Sequence, residues 1–222
     1  MTLFLKIDPG KPDEEKLAEA VRILLTGGVT AFPTETFYGL GADAQNEAAV
    51  EKIFRIKGRD FRNPIALIVA DNREVSPLVE EIPAIAEILM QTFWPGPLTL
   101  IFRAAPSVSS RLTAGTEKIG IRVSSHPVAR LLAMHLAGPL TATSANLSGE
   151  PECSSADAVI RTLGDLPDAI IDGGLTPGGS GSTILDVTVS PPQILREGVI
   201  PGNLIRTILR GDGPRPPGSP LF

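Results

Sequence analysis

Cysteine is nearly missing: Cys153 stands alone among 222 residues, which excludes an internal disulfide and any cysteine-based zinc site. Only two histidines occur, His126 and His135, and they lack the spacing of a zinc-binding helix. A single Trp and a single Tyr leave little aromatic surface on which nucleic-acid bases could stack. No window approaches the roughly 18 uninterrupted apolar residues of a membrane span. The amino end has no basic stretch followed by an apolar one, so it does not read as a secretory leader. A cytoplasmic protein without a membrane partner is the expectation. Positive charge is also scarce: 20 Lys and Arg against 25 Asp and Glu give a net charge of −5. Bulk attraction to nucleic acid or anionic lipid is therefore not expected, and any bound anion must be held by a local cluster. The pattern G-x-x-x-x-G-K-S/T is absent, which argues against a P-loop, and no G-x-S-x-G elbow is present. Gly39 to Ala44 formally satisfies G-x-G-x-x-A, but Thr34 to Tyr38 separates it from the preceding strand, so no dinucleotide fingerprint is read there.

What the chain does have is an apolar fraction of 42%, enough for a sizeable core, with 22 Gly and 21 Pro placed at the ends of periodic segments. Leu3 to Ile7 reads as a strand, and Asp13 can cap a helix carrying Leu17, Ala20, Val21 and Leu24 on one face. Val29 to Phe32 reads as a buried strand feeding a loop from Thr34 to Gly41. Asn46 and Glu47 open a helix closed by Gly58. Strands are expected at Ile65–Val69, Leu98–Phe102, Ile119–Val123, Leu140–Thr143, Ala169–Ile171, Thr183–Val187 and Gln193–Leu195. Helices are expected at Ala84–Phe93, Val128–Leu136 and Ala156–Leu163, with a last one capped by Asn203. This interleaving predicts an α/β fold whose late strands allow antiparallel pairs, hence a mixed sheet. Residues 1–210 are expected to form one domain and 211–222 a flexible Gly/Pro-rich tail.

Four segments can carry chemistry. Lys57-Gly58-Arg59 sets two cations at the close of a helix, where they can fold around an anion or simply offset the helix dipole. Thr143-Ser144-Ala145-Asn146 follows a strand directly, which is where α/β sheets place ligands and also where turns form. The glycine-rich run ending in Ser182 and Thr183 leads into a strand pair that carries Arg196. Arg122 lies inside the apolar run Ile119 to Val123, where a guanidinium must find partners or protrude at the strand end. Cys153, in a polar segment, reads as an incidental thiol. The inventory describes a holder of charged substrates with no obvious protein nucleophile.

The segments PTETFYGLG, KGR, WPGPLT, IGIRV, TSANLSG, GSTILD and ILREG, in this order from about Gly27 to Pro201, resemble the YrdC-like family of threonylcarbamoyl-AMP synthases. The resemblance implies a twisted mixed parallel and antiparallel sheet with helices packed on it, around a deep basic cavity. It implies that L-threonine, bicarbonate and ATP are joined into threonylcarbamoyl-adenylate and pyrophosphate, on the way to threonylcarbamoyladenosine in tRNA. By the same resemblance, Lys57, Arg59, Asn63, Ser144, Asn146 and Arg196 hold ATP, with Lys57 and Arg59 as the catalytic cations. Thr36, Arg122 and Ser182 hold threonine, with Thr34 and Thr143 as weaker candidates for the same pocket. Mg2+ is expected to enter with ATP and no protein metal ligand is assigned, although Glu35 is a nearby carboxylate. Expected partners are the downstream tRNA threonylcarbamoyl-transfer proteins, together with weak tRNA binding.

Some positions depart from the family pattern. Asp60 stands where the family usually has proline, the strand after Asn63 lacks a common histidine, and Glu197 replaces the proline of an Arg-Pro-Gly. The chain ends soon after Pro201, so a single-domain member is expected. Two other functions fit the same segments: a non-catalytic RNA-binding protein in tRNA or ribosome maturation, and an adenylate-forming paralogue with a different substrate. Net negative charge and scarce aromatics weigh against the first. The second turns on selectivity that a single methyl group decides, about 1–3 kcal/mol.

Overall fold

Ten strands line up in one sheet of the computed structural model, which describes residues 1–210. In chain order they are β1 (Leu3–Lys6), β2 (Thr30–Pro33), β3 (Tyr38–Gly41), β4 (Ala66–Ile68), β5 (Leu98–Arg103), β6 (Lys118–Arg122), β7 (Leu140–Ser144), β8 (Ala169–Asp172), β9 (Thr183–Asp186) and β10 (Gln193–Arg196). They are ordered β1-β8-β2-β3-β7-β4-β6-β5-β9-β10 across the sheet. The β1/β8, β2/β8, β4/β6 and β5/β9 pairs are parallel and the rest antiparallel, so the sheet is mixed as expected. The predicted tail at 211–222 lies outside the described residues.

Helices cover both faces. They are α1 (Glu14–Leu25), α2 (Glu47–Lys57), α3 (Ala84–Phe93), α4 (Ser110–Thr113), α5 (Pro127–Leu136), α6 (Ala156–Leu163) and α7 (Gly202–Leu209). Neighbouring residues of one strand divide between two cores, as alternating side chains require. Ala31, Leu67 and Ile170 join α2, α3, α6 and α7, whereas Phe32, Ile68 and Ile171 join α1 and α5. The helix starts follow the sequence. Asp13 accepts from the Glu15 and Lys16 amides at 3.1 Å, Asn46 from Ala49 at 3.1 Å and Ser155 from Ala158 at 3.1 Å, each filling orphan donors of a first turn.

Two expectations fail. Asn203 does not cap α7: Pro201 occupies the cap position and Asn203 lies within the helix. More important for the site, the predicted loop 34–41 contains β3, which returns antiparallel along β2. Its glycines make this possible. A Cβ on Gly41 would lie 2.7 Å from the Phe32 ring and 2.6 Å from the Thr141 carbonyl, so only a bare backbone fits between β2 and β7.

Candidate active site

Strand ends from β2 across to the edge strand β10 surround a cavity of about 230 Å³. Arg122 reaches it from the end of β6, Ser144 from the end of β7, Ser182 from just before β9 and Arg196 from the end of β10. Thr34 and Thr36 enter from the β2–β3 connection, and Arg59 comes from just past α2. Thr143 also lines the space. Eight of the predicted residues therefore share one hollow: Arg59, Ser144, Arg196, Thr36, Arg122, Ser182, Thr34 and Thr143.

Three predicted residues stand elsewhere. Lys57, 2% exposed, does not reach the cavity wall. Its ammonium donates to the Ser144 carbonyl, to the Asn146 carbonyl at 2.7 Å and to Asn146 Oδ1 at 2.9 Å, so all three donors go to the turn behind Ser144. In this structure Lys57 is a support beneath that turn and stands off the cavity, where the resemblance implied a cation on the triphosphate. Asn146 belongs to the same buried support, since its Oδ1 also accepts from Ser144 Oγ at 2.6 Å. Asn63 is exposed and outside the cavity; its backbone carbonyl accepts from Arg59 Nε at 3.3 Å and its backbone N–H donates to the Asp60 carbonyl at 3.0 Å. Burial, with the nearby Arg59 charge adding to it, pulls Lys57 down to about 8. Glu152 and Cys153 act in the opposite sense.

The local chain explains this split. Gly58 takes φ 55° and closes α2 in the left-handed conformation, which reverses the chain between Lys57 and Arg59. Arg59 then folds over its own loop, donating to the Pro64 carbonyl at 2.9 Å. Arg196 is fixed as firmly, donating through Nε and Nη2 to the Ser182 carbonyl at 3.2 and 2.8 Å. A Cβ on Gly181 would meet Arg196 Nη2 at 2.9 Å, so glycine leaves the guanidinium room to lie there. Burial lowers Arg196 from its ordinary value; Glu152, the carboxylate on the lining, pushes it up and Arg122 pushes it down.

Arg122 differs from both. Its side chain is 10% exposed and lies 3.0 Å from Glu35 Oε1, yet it donates no side-chain hydrogen bond among the described residues. Glu35 Oε1 likewise has no aligned donor, so the pair is a charge contact that leaves the guanidinium fork open toward the cavity. Glu35 Oε2 is held from behind by the hydroxyl of Ser124. His126, also near Glu35, is lowered by burial, and its Nδ1 has no partner among the described residues.

The hydroxyls have assignable directions. Thr34 Oγ1 donates to the Phe37 carbonyl at 2.7 Å, so in its 3.1 Å contact with Thr36 the Thr36 hydroxyl is the donor. That leaves Thr36 Oγ1 with acceptor capacity toward the cavity it lines. Ser182 Oγ is paired with Thr99 Oγ1 at 2.8 Å and accepts from Arg196 at 3.3 Å.

Sequence reading did not single out Thr99 or Glu152, and it named Glu35 without its partner. Thr99 sits in the WPGPLT segment and was legible as an inward position of β5. Glu152 had no pattern to mark it. Cys153, read as an incidental loop thiol, is buried at 3% exposure with Sγ 3.6 Å from Thr162 Oγ1. Among the described residues, no three His, Cys, Asp or Glu side chains cluster as a metal site, and no helix is long and apolar enough to cross a membrane.

Comparison with known proteins gives a consistent relationship. The Sua5/YciO/YrdC family profile, described as "Telomere recombination", matches residues 22–198. A threonylcarbamoyl-AMP synthase of Pyrococcus abyssi is 38% identical over 209 residues, covering 94% of this chain and 61% of that protein. This chain thus spans about three-fifths of that relative's length. A protein of the same name from Vibrio vulnificus is 36% identical over 184 residues, covering 82% of this chain and 98% of its own length. The crystal structure of P. abyssi Sua5 complexed with L-threonine superposes with a TM-score of 0.91 at 38% identity, over 95% of this chain and 62% of that one.

Proposed function

The chain belongs to the Sua5/YciO/YrdC family, and on that premise we propose that it makes threonylcarbamoyl-adenylate and pyrophosphate from L-threonine, bicarbonate and ATP. The observation that carries this reading is one cavity lined by Arg59, Arg122 and Arg196 together with Thr36 and Ser182. A hollow lined with donors and without a nucleophilic side chain poised on a base suits reactants that bring their own nucleophile. The threonine nitrogen adds to the carbon of bicarbonate or carbon dioxide, losing a proton and, from bicarbonate, water. A carbamate oxygen then attacks the α-phosphorus, the bond to the bridging oxygen breaks, and pyrophosphate departs.

The protein contributes alignment and a fixed field, which can supply most of the acceleration in such transfers. Arg59 and Arg196 face the triphosphate, and the Ser144 turn, stiffened by Lys57, contacts the nucleotide. Arg122 takes the threonine carboxylate on its open fork, a charge-assisted geometry suited to a bidentate pair. Thr36 and Ser182 complete the amino-acid pocket, with Thr34 and Thr143 behind them. Magnesium would enter with ATP, where it would supply positive charge on the phosphates, and no residue of the chain is assigned to hold it. The adenylate passes to tRNA threonylcarbamoyl-transfer proteins, and contact with tRNA is weak because the net charge of −5 opposes it.

Radiolabelled bicarbonate incubated with magnesium, ATP and each amino acid in turn tests the reading. A labelled adenylate with pyrophosphate release, dependent on threonine, is expected. Absence of label with every amino acid overturns it, as does salt-sensitive RNA binding indifferent to ATP and threonine.

A further inference from the structure

Arg122 and Glu35 form a buried ion pair with an unusual division of labour, their side chains being 10% and 11% exposed. The carboxylate cancels the guanidinium charge at 3.0 Å without occupying its N–H donors. Ser124, fully buried, holds the far oxygen of Glu35 so that the carboxylate stays behind Arg122 and off the cavity wall. A pocket built simply to capture an anion would gain from leaving Arg122 uncompensated, because a nearby fixed carboxylate repels any anion at a few ångströms. The compensation makes sense for a ligand that carries its own cation.

We infer that Glu35 is a specificity-determining residue that makes the Arg122 pocket select a zwitterionic α-amino acid over a plain carboxylate or other simple anion. The inference rests on the proposed threonine pocket. An α-ammonium lies one carbon from the carboxylate held by Arg122, within range of the Glu35 charge, and Thr36 Oγ1 has acceptor capacity facing the same space. For the zwitterion, repulsion of its carboxylate by Glu35 is offset by attraction of its ammonium. For a plain carboxylate only the repulsion remains. The same field keeps free bicarbonate and the triphosphate from settling on Arg122, leaving them to Arg59 and Arg196. Glu35 acts here through the local potential and touches neither substrate.

Calorimetric titration of the full chain with L-threonine and with its des-amino analogue, 3-hydroxybutanoate, tests this. In the wild type, threonine is expected to bind at least about tenfold more tightly, a difference of ~1.4 kcal/mol. Equal or tighter binding of 3-hydroxybutanoate to the wild type overturns the inference without any variant. In Glu35→Gln the preference should contract about tenfold or more, chiefly through tighter binding of the des-amino analogue, while Glu35→Asp retains the preference for threonine. An unchanged preference in a folded Glu35→Gln protein also overturns it. Failure of the threonine reading looks different: the wild type then binds neither ligand.

Discussion

Lys57 and Arg122 are both buried cations, 2% and 8% exposed, on strands and helix ends that frame one cavity, yet they do opposite things with their hydrogens. Lys57 directs all three donors to the Ser144–Asn146 turn and, among the described residues, has no carboxylate within ion-pair distance. Arg122 has a carboxylate at 3.0 Å and gives its donors to no group among the described residues. Charge and burial are similar; the destination of the N–H bonds separates a cation spent on its own chain from one with donors to spare. The Arg122 nitrogens are not sealed from solvent, so their free donors remain on the cavity lining without the penalty of a buried, unpaired group.

Substitutions can break that contrast. The largest effect is expected from Lys57→Met, which deletes three buried hydrogen bonds to one turn and should lower unfolding free energy by about 3 kcal/mol, read as a lower denaturant midpoint at unchanged slope. Nucleotide affinity should fall with it, since the turn loses its support. Arg122→Ala should raise the threonine requirement about 100-fold while leaving that for ATP within about threefold, measured as separate half-saturation values in the pyrophosphate assay. Comparable increases for both substrates would put Arg122 in the same class as Lys57. Ser182→Ala removes a hydroxyl shared with Thr99 and Arg196, and a threonine requirement raised about tenfold is expected.

The smallest effect is a pH dependence. Lys57 titrates near 8 in the folded protein, below the ordinary 10.5, because burial disfavours its charge. Between these values the unfolded chain binds more protons, so this group's contribution to stability grows as pH rises and is lost as pH falls through about 8. The stability gap between wild type and Lys57→Met should therefore widen from pH 8 to pH 10 in paired denaturation curves.

Much of the fold was legible because local chemistry agreed with the tertiary outcome. Asp13, Asn46 and Ser155 announce their helices, and Gly58 ends α2 where a left-handed residue is needed. β3 was not legible, since Tyr-Gly-Leu-Gly lacks the β-branched residues that mark a strand and its glycines are explained only by Phe32 and the Thr141 carbonyl across the sheet. At the site, residue types at strand ends pointed to side chains that share one hollow. Their division into turn support and cavity lining did not show, because Lys57 and Arg59 look equivalent along the chain. The partnership of Glu35 with Arg122 is likewise invisible to local patterns, as it depends on the packing of β6 beside the β2–β3 connection.

Gly58 has open space where a Cβ would stand, so its left-handed backbone alone, not crowding, calls for glycine there. A single peptide reversal thus points successive cations to opposite sides of one partition, the first into the masonry and the next into the room. A residue other than glycine at that hinge would strain the reversal on which both placements depend.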